Sequence, residues 1–304
     1  MSAPGFAHEA LVYRDPSSFV DGAAVFVRDG LLAGESVFAV LPPHPAKLLR
    51  EALGARAEEV HFLDVVEIGR NPARLIPAVR AQLAEADGRG VRGIGESAWL
   101  GRTADEFAEV ALHEALINLA FADAANLTLR CAFDADVPPS VMATARRTHP
   151  CLLGGAHVPG AYDPEYALDL FTTPLPDPGE VSDMVHFCLD DLPELRDLVA
   201  VRARQFGLPR GRALDLTLAT NEMVTNSICH GGERGTLRLW TEGESLVCEI
   251  TDSGHITDPM VGRVAPLPSV QGGRGVWLAN QLCDLVRIRS TPATGTMVRL
   301  HVRR

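Results

Sequence analysis

Asn221, Glu222 and Asn226 stand in the stretch ATNEMVTNSICHG, inside a segment with helical periodicity. At a spacing of four residues, Glu222 and Asn226 share one helical face, a turn apart. An amide oxygen so placed can complete the octahedral shell of Mg2+, which keeps waters and takes few protein ligands. A carboxylate one turn away can orient or deprotonate an attacking hydroxyl or water. Taken alone, the same pair also suits a solvated patch on a surface helix.

Two further groupings lie downstream. Asp252-Ser253-Gly254 closes the apolar run LVCEIT. A carboxylate held at a strand end can accept a hydrogen bond from the exocyclic amine of adenine, and the glycine lets the backbone approach the ring. In isolation Asp-x-Gly is more often a turn. Gly272-Gly273-Arg274-Gly275 runs directly into VWLANQLCDL. Glycines that open a helix present free N–H groups and the positive dipole end to phosphates. A flexible loop before a helix has the same composition.

The elements that must hold these residues follow from periodicity. VHFCL reads as a strand, PELRDLVAVRARQFGL as a helix, and RALDLTLATNEMVTNSICHG as a long helix stopped by Gly231 and Gly232. TLRLWTEGESLVCEITDSG predicts two strands around the turn EGES. GVWLANQLCDLVRIRS predicts a helix running into a strand, and GTMVRLHVRR a last strand after a glycine turn. Helices grouped against antiparallel strands make an α+β sandwich.

The upstream half has a different rhythm. SVFAVLPP is a buried strand ending in prolines, and PAKLLREALGAR after it has helical spacing. EVHFLDVVE is a second strand, and NPARLIPAVRAQLAEADGRG an amphipathic helix stopped by glycines. VRGIGES, EFAEVALHEALINLAFAD and LTLRCAFD repeat the strand–helix–strand order. Such alternation predicts an α/β domain with a mostly parallel sheet. Between the halves, TTPLPDPGE (Thr172 to Glu180) packs three prolines and a glycine into nine residues and reads as a linker. The expected division is residues 1–171, a linker at 172–182, and residues 183–304.

Composition narrows the classes. At 304 residues, 46% of them hydrophobic, and with near-zero mean hydropathy, the chain can pack two domains. A net charge of −11 argues against a nucleic-acid surface, which needs clustered Lys and Arg; Lys47 is the one lysine. No window offers the roughly 18 uncharged apolar residues of a membrane span, and no export signal is visible, so a cytoplasmic location is expected. The six cysteines, Cys131, Cys151, Cys188, Cys229, Cys248 and Cys283, include no CxxC and are expected to be reduced. His149 and Cys151 in THPC, with His8 near the start, group metal-ligating types, but without the usual ligand spacing.

The order of the downstream motifs resembles the N, G1 and G2 boxes of GHKL ATPases over roughly residues 183–304. Within that superfamily it is most similar to the serine-kinase anti-sigma factors, through ATNEMVTNSICHG, DSGHITDPM and GGRGVWLANQLCDLV. The resemblance implies ATP and Mg2+ as cofactors. It places Mg2+ on Asn226, the catalytic base at Glu222, and adenine at Asp252 and Gly254. It puts phosphates against Gly273, Arg274 and Gly275, a supporting adenine contact at Thr296, and a lid over Pro259 to Gln271.

The upstream half resembles the MEDS sensory domains, described as inactive relatives of RecA-like ATPases. The carrying residues are Phe6-x-His8-x-Ala10-Leu11-x-Tyr13, Phe26-Val27-Arg28-x-Gly30-Leu31-x-x-Gly34-Glu35, Arg70-Asn71-Pro72, Gly95-Glu96-x-x-Trp99, His113-Glu114-Ala115-Leu116-x-Asn118-Leu119, and Thr148-His149-Pro150. Where a P-loop would follow the first sheet strand, the chain reads LPPHPAKLL, without the glycines and lysine that cradle phosphates. His8, Glu96, Trp99 and His149 are the candidates to line a small-molecule pocket; packed or capping roles fit the same residues.

A MEDS half joined to this ATPase type resembles the RsbA-family anti-sigma regulators. That implies a sigma factor or a STAS-type antagonist as partner, and allows a homodimer and a small-molecule ligand of the N-terminal half. Two alternatives stay open: a sensor histidine kinase, with His113-Glu114 as its acceptor box, and a nucleotide-dependent binding module without phosphoryl transfer. The acceptor box should directly precede the ATPase domain, whereas here a strand, THPC and the proline-rich stretch intervene.

Overall fold

A strand buried on both faces reads as a continuous apolar run, and SVFAVL does so because helices cover both sides of its sheet. In the computed structural model, which describes residues 5–154, 162–266 and 273–304, this run is a central strand. The chain separates into two compact units, residues 1–167 and 168–304.

The first unit runs β1 (Ala7–Tyr13), α1 (Pro16–Leu32), β2 (Ser36–Leu41), α2 (Pro43–Leu53), β3 (Val60–Asp64), α3 (Val65–Ile68), α4 (Leu75–Glu85), β4 (Val91–Gly95), α5 (Ala104–Ala120), β5 (Leu127–Asp134), α6 (Pro139–Thr148) and β6 (Cys151–Leu153), with α7 (Tyr166–Thr172) crossing into the second unit. Six parallel strands form one sheet in the order β3-β2-β4-β5-β1-β6. Local chemistry sets the helix starts. Asp15 and Ser18 form a reciprocal capping box ahead of α1, and Thr103 and Glu106 do the same for α5. Phe19, Val27, Leu41 and Leu49 are fully or nearly fully buried in the core that joins α1, α2 and the sheet. Each such side chain contributes about 1.5–3 kcal/mol by leaving water.

β1 is a strand that the apolar pattern did not announce. His8 and Glu9 interrupt its apolar residues, and the fold accommodates them with tertiary partners. Arg130 Nη2 lies 2.7 Å from Glu9 Oε2, and His8 Nδ1 lies 3.1 Å from Asn118 Oδ1. The prolines of LPPHPAKLL therefore follow the second strand in the chain, not the first. After β1, Arg14 and Asp15 lead straight into α1, and after β2, Pro42 leads into α2. Neither turn is a glycine-rich phosphate cradle. The helix expected over residues 71–90 is shorter, because Asn71 caps a 3-10 turn at Pro72–Arg74 before α4 begins.

The second unit holds β7 (Asp183–Phe187), α8 (Leu192–Phe206), α9 (Arg210–His230), β8 (Gly235–Glu242), β9 (Ser245–Asp252), α10 (Gly275–Leu282), β10 (Leu285–Thr291) and β11 (Gly295–Arg303). Its five strands pair antiparallel in the order β10-β11-β9-β8-β7. Residues 173–182 carry no helix or strand. α8 ends where Gly207 takes φ +89°, a left-handed cap that a glycine adopts without Cβ strain. Leu195, Val199 and Ala203 of α8 and Leu216, Ala219 and Met223 of α9 are buried, giving the apolar stripe of a two-layer α+β domain. Among the described residues, no helix is long and apolar enough to cross a membrane.

Candidate functional site

α9 carries Glu222 and Asn226 on the side that meets the start of α10. A Cβ placed on Gly275 would stand 3.0 Å from Glu222 Oε2 and 3.2 Å from Asn226 Nδ2. The first residue of α10 thus lies directly against both side chains, and a glycine there permits the approach. Neither the Glu222 nor the Asn226 side chain bonds to another described residue. Arg274 precedes α10 without a side-chain cap on the first-turn amides. Those N–H groups and the helix dipole favour an anion at this end. Gly273 takes φ +69° immediately before, a left-handed conformation that favours glycine.

The carboxylate of Asp252 is held from two sides. Ser227 Oγ of α9 donates to Asp252 Oδ2 at 2.6 Å, and the Gly254 amide donates to Oδ1 at 2.8 Å. Thr296 Oγ1 donates to the Gly254 carbonyl at 2.9 Å and lies 2.8 Å from Ser290 Oγ. Ser290 in turn receives the Ile256 amide at 2.9 Å. Asp252, Gly254 and Thr296 therefore form one hydrogen-bonded unit at the end of β9. Each carboxylate oxygen of Asp252 keeps acceptor capacity beyond its one bond.

Glycines make that packing achievable. A Cβ on Gly231 would fall 2.4 Å from Asp252 Cγ, and one on Gly254 would fall 2.7 Å from the His230 carbonyl oxygen. Gly295, at φ +78°, brings the β10–β11 turn so close that its Cβ would sit 2.0 Å from the Asp252 carbonyl oxygen. Ser227 and Ser290 were not singled out from the sequence, and Gly231 and Gly295 entered it only as a helix stop and a turn. Ser227 adjoins Asn226 in the chain, and Gly295 precedes Thr296, so proximity to the motifs was the available signal.

The expected lid spans Pro259 to Gln271, of which residues 267–271 lie outside the described residues, as does Gly272. In the described part, Asn280 Nδ2 of α10 donates to the Gly262 carbonyl at 2.9 Å, which ties this segment to α10. A separate open cleft of about 860 Å3 includes Asp252 and Ser253 among its walls, with His186, Cys188, Arg234 and Thr294. Glu222 and Asn226 do not line it, so it is not the space where the three motifs converge.

Residues 7–150 match the MEDS family, the methanogen/methylotroph, DcmR sensory domain, and residues 187–302 match the histidine kinase-like ATPase domain. The chain joins a MEDS domain to a histidine kinase-like ATPase domain. An anti-sigma F factor of Thermoanaerobacter sp. (strain X514) is 28% identical over 114 residues, covering 34% of this chain and 80% of that protein. An anti-sigma F factor of Caldanaerobacter subterraneus subsp. tengcongensis is 27% identical over the same shares.

A domain of this type implies nucleotide binding, and the residues present fit a nucleotide. Two polar side chains without partners among the described residues, Glu222 and Asn226, face an uncapped helix N-terminus, while Asp252 is oriented at a strand end. The MEDS domain holds a second constellation. The rings of His8 and His149 lie 4.0 Å apart between centroids, and Glu114 Oε2 is 3.5 Å from Nε2 of each. Cys131 joins them, with its Sγ 3.4 Å from His8 Nε2.

Of the four residues expected to line one pocket, His8 and His149 come together. Glu96 instead accepts from the Tyr13 hydroxyl at 3.0 Å, and Trp99 lies beneath the Arg102 guanidinium at 3.5 Å. Glu114 and Cys131 entered the sequence reading only as a motif residue and a reduced thiol. Cys151, grouped with His149 by its position in THPC, is exposed. Burial and the neighbouring His8 push the His149 pKa down to about 3, despite the Glu114 carboxylate. Burial works against the Glu114 carboxylate, but the contact with His8 and the nearby His149 and His113 imidazoles hold its pKa well below the usual range.

Proposed function

We propose that this chain is an anti-sigma regulator of the RsbA type. Its ATPase domain binds Mg·ATP and either captures a sigma factor or phosphorylates a serine of a STAS-type antagonist, and the MEDS domain biases that activity. The observation that carries this reading is the convergence of Glu222, Asn226 and the α10 N-terminus. The similarity of the same domain to anti-sigma F factors supports it.

Each residue has a role that its position supports. Mg2+ neutralises and orients phosphate oxygens when bound, and Asn226 offers the side-chain oxygen to hold it. Amides at the start of α10 receive phosphate, with Gly273, Arg274 and Gly275 forming the approach. Asp252, held by Ser227 and the Gly254 amide, presents acceptor oxygens to the adenine amine, and Thr296 supports the Gly254 carbonyl. Glu222 Oε2 accepts the proton of the attacking serine hydroxyl. The histidine-kinase alternative gains nothing from the structure: His113 is 3% exposed on α5, and a phospho-acceptor imidazole must be reachable.

Capture from the native cell by the full chain, with and without Mg·ATP, tests the proposal. A sigma factor or a STAS-type protein is expected among the nucleotide-dependent partners, and absence of both overturns it. Glu222→Gln should keep ATP binding but slow transfer to the antagonist serine by about 10²- to 10⁴-fold. Transfer absent from the wild type as well would make the domain a nucleotide-gated binding module.

A further inference from the structure

We propose that His8, Glu114, Cys131 and His149 form a binding site for one divalent transition-metal ion of the zinc class inside the MEDS domain. The four come from different elements: His8 from β1, Glu114 from α5, Cys131 from β5, and His149 from the residue after α6. All are buried, at 4%, 0%, 7% and 1% exposure. Their ligating atoms lie within 4.8 Å of one another.

The hydrogen-bond directions favour a cation at the centre. Asn118 Nδ2 donates to the Thr148 carbonyl at 2.8 Å, which leaves Asn118 Oδ1 to face His8 Nδ1 at 3.1 Å. His149 Nδ1 faces the Ala145 carbonyl at 2.9 Å. Both partners only accept, so each Nδ1 carries a proton, and in a neutral ring each Nε2 lone pair points inward. There they meet Glu114 Oε2, and neither that oxygen nor His149 Nε2 has a hydrogen-bond partner. The Cys131 thiol is the cluster's one inward proton donor and can serve a single acceptor. The acceptors left over stay unmatched in a dry interior, at a cost of about 1–3 kcal/mol each.

Distances and charge fit the same ion. Zinc legs of about 2.0–2.1 Å to N or O and about 2.3 Å to S imply tetrahedral edges of about 3.3 Å between N or O atoms and about 3.5 Å from N to S. The observed edges are 3.5 Å for each imidazole to Glu114 and 3.4 Å for His8 to Cys131. On binding, the Cys131 thiol releases its proton to solvent. Thiolate and carboxylate then offset the dication, leaving a neutral buried centre with two neutral imidazoles. Outer partners are in place too: Asn118 and the Ala145 carbonyl orient the rings, and Ser97 Oγ donates to Glu114 Oε1.

The full chain, stripped with a chelator and titrated with Co2+ and then Zn2+, tests the site. One ion per chain is expected, with tetrahedral d–d bands and a thiolate-to-cobalt charge-transfer band that Zn2+ displaces. Cys131→Ser should lose the charge-transfer band, whereas replacing exposed Cys151, Cys188 and Cys229 with serine together should keep it. Ser97→Ala should weaken binding by about 10- to 100-fold. X-ray absorption at the cobalt edge of the wild type decides the matter without any variant: one sulfur and three nitrogen or oxygen neighbours are expected. No stoichiometric uptake, a band that survives Cys131→Ser, or a sulfur count other than one overturns the proposal.

Discussion

Ser227 Oγ donates to Asp252 Oδ2 at 2.6 Å, joining the last turn of the second domain's longest helix to the end of its central strand. The serine hydroxyl and the Gly254 amide together set the plane of the carboxylate. Ser227→Ala keeps the charge but frees the carboxylate to rotate. Losing one charge-assisted bond costs about 1.5–3 kcal/mol. The adenine subsite should weaken by roughly 10- to 100-fold as a result. Titration calorimetry with ATP and with GTP checks this; an unchanged ATP affinity would separate Asp252 from base recognition.

The Asn226 side chain has no hydrogen-bond partner among the described residues, so its removal leaves none of them unpaired. Asn226→Ala should therefore spare stability while weakening Mg·ATP by one or two orders of magnitude, about 1.4–2.8 kcal/mol. Affinity measured without Mg2+ should change much less. Equal losses with and without Mg2+ would mean that the side chain touches nucleotide directly.

Gly275 marks where α10 meets the Glu222–Asn226 face. A methyl group there would stand 3.0 Å from Glu222 Oε2, 3.2 Å from Asn226 Nδ2 and 3.3 Å from Glu222 Cβ, tight enough to displace both side-chain ends. Gly275→Ala should cost about 1 kcal/mol or less in stability, since alanine favours helix over glycine. Phosphoryl transfer should fall much further. Thermal melts beside transfer assays measure both, and unaffected transfer would remove Glu222 from the reacting centre.

Glu96 supplies a pH dependence. Burial raises its pKa from 4.5 to about 7, opposed by the Tyr13 hydroxyl bond and reinforced by the charge of Asp134. The folded state then binds the proton more tightly than the unfolded state does. Stability of the MEDS domain should fall as pH rises from about 4.5 through about 7, by about 3 kcal/mol at 1.36 kcal/mol per pH unit. Below that window the contribution is constant. Glu96→Gln should flatten the denaturant-midpoint profile between pH 5 and pH 8, roughly the interval where the carboxylate ionises in the folded chain. A profile as steep as that of the wild type would show that Glu96 is already ionised there at no cost.

Legibility differed between the two halves for physical reasons. The nucleotide-site motifs announce themselves because each is local: Glu222 and Asn226 share a helical face by spacing alone, and Asp252 and Gly254 share one turn. The strand–helix alternation of the first half and the antiparallel run of the second were likewise readable, since the 2- and 3.6-residue periods of burial are properties of the chain. What the motifs contact was not. That Gly275 abuts Glu222, or that Ser227 holds Asp252, depends on how α9 packs against α10 and β9.

The MEDS domain shows the limit more sharply. Its polar residues His8, Glu114, Cys131 and His149 are separated by up to 141 positions and obey no ligand spacing. By type and number the sequence determined only that such residues exist on otherwise apolar elements, and it grouped Cys151, not Cys131, with His149 and His8. β5 lies beside β1 in the parallel sheet, in a register that pairs Ala10 with Cys131 and His8 with Leu129. Because side chains alternate along a strand, His8 and Cys131 then share a face, and α5 lays Glu114 and Asn118 across it. Convergence of groups remote in the chain is a property of strand order and register, which long-range packing chooses and local periodicity cannot encode.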